Sequence, residues 1–241
     1  MGGVLRALWR LLVLAVLSVI ALQIYFAARI ALMAVVDPQS TTFQRSEAWR
    51  LLVDKHQVAW AQTWRGRADL GKQLPRAVIA SEDAGFSEHY GVEWEAVEKA
   101  WDKNLKAEAR AVRNPKRPPK VVGGSTITQQ LAKNLLLSGE RTVVRKAQEL
   151  VLTLTLETLL SKQRILEIYL NNVEWGEGLF GAQAAARYYF RTDAARLSPE
   201  QAARLAVMLP APKRFEKNPS SAYVMGRAAT IAARMSYVDL P

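Results

Sequence analysis

This sequence predicts an all-α fold behind a single membrane-spanning helix, and three observations predict it. The N-terminus carries an apolar run long enough to cross a bilayer. Helix-start signals recur along the rest of the chain. No apolar–polar alternation of useful length marks a strand. With 241 residues, half of them hydrophobic, there is room for one sizeable domain and an appendage. A formal charge of +11 directs the chain toward anionic partners, among which nucleic acid, lipid headgroups and diphosphates all qualify. Absence of cysteine excludes disulfides, thiol catalysis and cysteine-ligated metals. The only histidines, His56 and His89, are too far apart in sequence to suggest a His-rich zinc site, and His89 reads as a local hydrogen-bonding residue.

In chain order, residues 1–10 carry Arg6 and Arg10 with no acid, and residues 11–36 are mostly apolar with Arg29 as their one charge. They read as a cytoplasmic N-terminus and a transmembrane anchor, which places the remainder of the chain outside the cytoplasm. A cleaved signal peptide competes, but its apolar region is normally only about 7 to 15 residues. Residues 37–73 read as a connector near the membrane, in which Trp60 and Trp64 would share one helical face. The main domain then occupies residues 74–241. Its first helix is expected from Pro75, a good first helical residue, to near Asp83. Val92 to Arg113 reads as an amphipathic helix with Trp94, Val97 and Trp101 at helical spacing, followed by a basic, proline-rich loop to Lys120 that suits a lid or a headgroup contact as well as a plain solvated turn. Thr126 and Gln129 have capping-box spacing, so another helix starts there. Thr142 to Leu160 is nearly continuous helix former, and within it Leu150 to Leu156 is apolar nearly all round, the mark of a central buried helix. Ser161 to Asn172 continues as a helix, and helices are also expected over Ala182 to Phe190, after the Ser198-Pro199-Glu200-Gln201 start, and over Tyr223 to Met235.

The chemistry concentrates in a few places. Glu82 and Asp83 sit side by side at a helix end. Partial burial and the like charge of Asp83 would raise the pKa of Glu82 toward a range useful for proton transfer. The other reading is two solvated carboxylates closing a helix. The helix N-terminus after Gly123-Gly124-Ser125 offers free N–H groups to phosphate oxygens, with Lys133 and Arg141 as additional charges, and a plain cap explains it equally. Arg145 and Glu149 are four apart and can pair on one face. If Glu149 instead faces a cleft, it becomes a second carboxylate for the site.

Taken together, Glu82-Asp83-x-x-Phe86-x-x-His89-x-Gly91, Gly124-Ser125-Thr126-Ile127-Thr128-Gln129-Gln130, Arg145-Lys146-x-x-Glu149 and Lys162-x-x-Ile165-Leu166-Glu167-x-Tyr169-Leu170-Asn171 resemble the ordered motifs of glycosyltransferase family 51, the peptidoglycan glycosyltransferases. With one span ahead and no room for a transpeptidase domain behind, the chain is similar to the monofunctional members. It departs from the pattern at Phe190-Arg191-Thr192, where glycine or another small or basic residue is common. The resemblance implies a lysozyme-like, two-lobed domain in an inner membrane protein, polymerising lipid II into glycan strands. It implies Glu82 as the base and Glu149 as a second catalytic carboxylate. Asp83, Ser125, Gln129, Gln130, Lys133 and Arg141 would contact substrate and its diphosphate. A divalent cation, Mg2+ or Mn2+, is expected beside the diphosphate in some members, and this sequence shows no dedicated cage for it. Expected partners are lipid II, the growing strand, the membrane and other cell-wall synthesis or division proteins, not nucleic acid. Glu82 should then face Lys133 and Arg141 across one groove. A glycan-cleaving enzyme on the same fold and a non-catalytic membrane scaffold are the competing readings.

Overall fold

The computed structural model describes residues 2–113, 124–140 and 142–241. Eleven α-helices and three very short strands are found among the described residues. The first, α1, runs Gly2–Leu32 and is the one helix long and apolar enough to cross a membrane. At about 1.5 Å per residue it is about 46 Å long, more than a hydrocarbon core of about 30 Å requires. The surplus is docked on the domain. Ile30 and Met33 are buried in the core, and the amides of Gln23 and Gln148 bond each other reciprocally at 2.9 and 3.0 Å.

Helix α2 (Thr42–Lys55) is held by a capping box between Thr41 and Gln44 and ends at His56, whose φ of 54° stops it. The expected helical face shared by Trp60 and Trp64 is therefore not formed. Both residues flank the extended pair β1 (Ala61–Gln62), with the Trp60 ring 4.7 Å from that of Phe180 and Arg164 above Trp64. A four-residue spacing implies a helix only where the backbone is helical. β1 runs parallel to β3 (Leu179–Phe180), which pairs antiparallel with β2 (Glu174–Gly176). Strands of two or three residues leave no alternation to read, which is why an all-α sequence pattern conceals them. Gly178 makes the β2–β3 turn at φ +70°, and a Cβ there would stand 2.0 Å from the Ala59 carbonyl oxygen.

The core is helical. Helix α3 (Gln73–Glu82) packs against α9 (Pro199–Met208), which also packs on α11 (Ala222–Arg234). Helix α5 (Ile127–Leu136) packs against α6 (Val143–Leu159) and α7 (Lys162–Asn172). The remaining helices are α4 (Trp94–Arg113), α8 (Ala182–Phe190), which packs on α7, and the short α10 (Pro212–Phe215), which packs on β2. Trp175, Tyr169, Phe86 and Phe180 are its largest fully buried side chains. Pro75 stands third in α3 rather than first.

One expectation fails in an informative way. Helix α6 is not buried all round: Leu152 and Leu156 face the core, while Val151, Leu154 and Leu159 are exposed and Val143 is 86% exposed. The apolar face of α4 also points outward, with Trp101 66% exposed. All-round apolarity identifies a helix surrounded by apolar material, which can be lipid as well as protein. Since α6 packs against α1, its outer face lies beside the candidate span. The expected basic loop, residues 114–120, lies outside the described residues.

Candidate active site

Glu82 is the last residue of α3, and the chain leaves the helix at Asp83. Its carboxylate is half-buried and tied at two points. Gln130 Nε2 on α5 donates to Oε2 at 3.1 Å, and Ser81 Oγ donates to Oε1 at 3.4 Å. Burial raises its pKa above the ordinary carboxylate value. The bonds from Gln130 and Ser81 and the charge of Arg227 oppose that shift, and the charge of Asp83 supports it. Behind Gln130 stands Tyr169, 1% exposed. Its hydroxyl donates to Gln130 Oε1 at 2.9 Å, and burial followed by the charges of Glu82 and Asp83 keeps that phenol protonated. Because Tyr169 occupies the amide oxygen, the amide nitrogen must turn toward Glu82. Tyr169 belongs to the fourth sequence motif, but the motif alone assigns it no role; its separation of 39 residues from Gln130 carries no local signal.

Asp83 has a different place from the one expected. Its side chain is fully buried, with Oδ1 bonded to His89 Nε2 at 2.8 Å and Oδ2 accepting the Ile127 backbone N–H at 2.9 Å. Both oxygens are committed within the protein, to His89 and to the start of α5. Ile127 opens α5, and the N–H of Gln129 in the same turn goes to Thr126 Oγ1 at 3.2 Å. Two of the N–H groups at this helix N-terminus are therefore taken by side chains of the protein itself, Ile127 by Asp83 and Gln129 by Thr126. Thr126 Oγ1 also donates to the Gly91 carbonyl at 2.6 Å. Gly91 has φ +79°, and a Cβ on it would stand 2.8 Å from Thr153. Phe86 is completely buried beneath Lys162, whose Nζ lies 4.5 Å from the ring centroid. The spaced residues of the Glu82–Gly91 stretch thus fasten the end of α3 to the start of α5 and to α6, leaving Glu82 as the member aimed elsewhere.

A second cluster sits one turn further along α5. Lys133 follows Gln130 by three residues and so lies near the same face, about 4.5 Å along the axis. Desolvation lowers its pKa; Glu149 opposes this, and Arg145 and Lys146 reinforce it. On α6, Arg145 Nη1 donates to Glu149 Oε2 at 2.8 Å and Lys146 Nζ bonds Oε1. Glu149 itself is 3% exposed. Three cations against one carboxylate leave the cluster net positive, and among the described residues Arg145 Nε is buried without a partner. Arg141 lies outside the described residues. So Glu149 forms a doubly paired, buried carboxylate and does not meet Glu82 directly.

Beside the cation cluster is a hollow of about 450 Å³ between α4, the entry to α5, and α6. Ser125, Gln129 and Lys146 supply its polar wall, and Trp94, Trp101 and Val143 supply apolar surface. Glu82 and Lys133 are not in that wall, so the single groove expected from the sequence is not what this hollow is. Consecutive helical residues point about 100° apart, which turns Gln129 into the hollow and Gln130 toward Glu82. The site is organised around α5, whose adjoining sectors face the base candidate on α3 through Gln130, the cations of α6 through Lys133, and the hollow through Gln129.

Comparison with known proteins adds an independent line. A family model described as Transglycosylase matches residues 52–236. A relative named Biosynthetic peptidoglycan transglycosylase from Burkholderia thailandensis is 49% identical over 240 residues, spanning 100% of this chain and 86% of the relative. Proteins of the same name from Paraburkholderia phytofirmans and Paraburkholderia xenovorans are 49% and 46% identical, covering 92% and 99% of this chain and 88% and 95% of their own.

Proposed function

The chain belongs to the transglycosylase family and is a peptidoglycan glycosyltransferase, and on that premise we propose that it polymerises lipid II into linear glycan strands with release of undecaprenyl diphosphate. The observation that carries this reading is α5: Gln130 orients the half-buried Glu82, and Lys133, on the same helix, stands among cations. Glu82 takes the proton of the acceptor's 4-hydroxyl, and the resulting oxygen attacks C1 of the lipid-linked muramyl donor. Inversion at that carbon needs a base on one face and stabilisation of the departing group on the other. The leaving diphosphate is already an anion, so it is served by cations rather than by a proton donor. Lys133, Arg145 and Lys146 supply them, with Arg141 close by in sequence, and Glu149 keeps Arg145 and Lys146 in register. The desolvation of Lys133 strengthens its attraction for phosphate oxygens. Ser125, Gln129 and the apolar wall of the hollow receive the start of the donor's lipid.

Among the described residues no three Asp, Glu or His side chains stand close enough together to hold a metal. A divalent cation would accordingly be held chiefly by the diphosphate oxygens and water. The exposed apolar residues of α1, α4 and α6 support a domain seated against the membrane. Arg6 and Arg10 ahead of the span put the N-terminus in the cytoplasm and the domain on the outer side of the inner membrane.

Incubating the purified full chain with labelled lipid II, and separately with finished glycan, tests the reaction class. New polymer from the first is expected. Shortened chains from the second with no polymer from the first would overturn the synthetic reading.

A further inference from the structure

A second cavity, of about 490 Å³, lies away from Glu82 at the opposite end of α3. Ala68, Leu240 and Pro241, over the nearly buried Leu70, Pro75, Leu166 and Leu170, form its apolar surface, and Arg67 and Lys72 place two cations in its lining. Arg67 Nη2 donates to the Pro241 carbonyl at 3.0 Å, and Lys72 forms no ion pair among the described residues. The proposed mechanism uses none of these groups.

The position of this cavity says what it can meet. Its α7 wall carries Glu167, which pairs with Arg164 at 2.9 Å. Arg164 in turn reaches the chain just beyond α1, donating to the Met33 carbonyl at 2.8 Å and pairing with Asp37 at 2.7 Å. One side chain therefore joins the cavity wall to the end of the candidate span. Exposed apolar residues continue as far as Val35, 82% exposed, and Val36, while the next residue, Asp37, is charged and paired. That change from apolar to ionic marks the level at which hydrocarbon gives way to headgroups. A cavity whose wall is tied to this level through Arg164, with an apolar floor and two cations, has the chemistry of an anionic amphiphile's receptor. Arg67 feels the charge of Glu167 across the lining, so it is Lys72 that a neutral lipid would leave without counter-charge, and a free phosphate would leave the apolar floor uncovered.

We propose that this cavity binds an anionic phospholipid of the membrane that α1 spans, its phosphate on Arg67 and Lys72 and the upper part of an acyl chain against Ala68, Leu166 and Leu240. The proposal rests on the membrane reading of α1 and not on the identity of the base. It gives the domain a second attachment to the bilayer, at the far end of α3 from Glu82. That attachment would fix how the α3–α5 site sits over the surface from which its substrate rises.

The test uses the full chain in phosphatidylcholine nanodiscs doped with photoactivatable phosphatidylglycerol or, separately, photoactivatable phosphatidylcholine, with labelled peptides mapped by mass spectrometry. Each basic contact is expected to favour the anionic probe by about fivefold, so peptides bearing residues 67–75 and 163–170 should carry at least about fivefold more phosphatidylglycerol label than phosphatidylcholine label. The double variant Arg67→Gln/Lys72→Gln should bring the two probes level there, while both probes continue to label α1. Equal labelling of the cavity by both probes in the wild type, or anionic label that survives the double variant, would overturn the proposal. Displacement of the label by excess undecaprenyl diphosphate would assign the cavity to substrate and overturn it as well. Failure of both probes to label α1 would remove the membrane reading and the proposal with it, whatever the polymerisation assay shows.

Discussion

Glu82 and Glu149 are both glutamates withdrawn from water beside α5, yet their surroundings fit them for opposite work. Glu82 is held by a neutral amide and a serine hydroxyl and has its pKa raised by burial. Glu149 is gripped by Arg145 and Lys146, with Lys133 near enough to feel its charge. A carboxylate bonded only by neutral donors can accept a proton without losing an ion pair. One locked between two cations would have to break both. The comparison supports the proposed roles, proton transfer for the first and the ordering of cations for the second, and it can be attacked at several points.

The largest effect is expected from Glu82→Gln, which keeps the shape and removes the proton acceptor. Polymerisation of lipid II in a single-turnover assay should fall by about 10²- to 10⁴-fold, with melting temperature unchanged. A loss below about tenfold would transfer the base role elsewhere.

Glu174 sharpens the comparison by asking what burial does with a weakly placed cation. Burial pushes it up to about 7, with Lys213, 3.5 Å away, opposing and Glu47 reinforcing. The folded protein thus holds this proton where the unfolded chain, at an ordinary value near 4.5, has released it. Its stabilising contribution is full below the unfolded value and is lost as pH rises through about 7. Glu174→Gln should flatten the pH dependence of thermal stability across that window by up to about 3 kcal/mol. An unchanged profile would show that Lys213 neutralises the site.

Glu149→Gln comes next. Freeing Arg145 and Lys146 should lower kcat/KM about tenfold, the scale of one charge-assisted hydrogen bond, with the acid side of the pH–rate profile unmoved. A displaced acid limb would make Glu149 a titrating catalyst and erase the distinction. Gln130→Met is expected to cost about three- to tenfold at neutral pH. The Gln130 bond holds the Glu82 pKa down, so losing it should move the acid limb to higher pH. A shift to lower pH would contradict the geometry.

The smallest effect concerns the departure at Arg191. It caps α8 at φ 53°, a left-handed conformation that glycine adopts freely. Arg191→Gly should stabilise the domain by about 0.5–1 kcal/mol, visible as a small rise in melting temperature.

How much of the molecule was legible in its sequence depends on how local each signal is. Thr126 with Gln129 and Ser198 with Gln201 are three apart, and both capping boxes form as their spacing requires. The α8 bounds and the Arg145–Glu149 pair are local for the same reason. The jobs of Asp83 and Tyr169 depend on partners 44 and 39 residues away, Ile127 and Gln130, which spacing cannot supply. The outer faces of α4 and α6 were legible as apolar but not as outward-facing, because apolarity does not distinguish protein from lipid. Two-residue strands gave no period at all. Glu82 itself was legible as an acid at a helix end with a raised pKa, and as the base through the resemblance; its bond to Gln130 became visible through the fold.

The most direct test of the central claim is the pH dependence of single-turnover polymerisation by wild type beside that of Glu82→Gln. The wild-type rate should fall on the acid side with one ionisation lying above the ordinary carboxylate value, and the residual rate of the variant should lack that limb. An acid limb that persists unchanged in Glu82→Gln would contradict the assignment of Glu82 as the base.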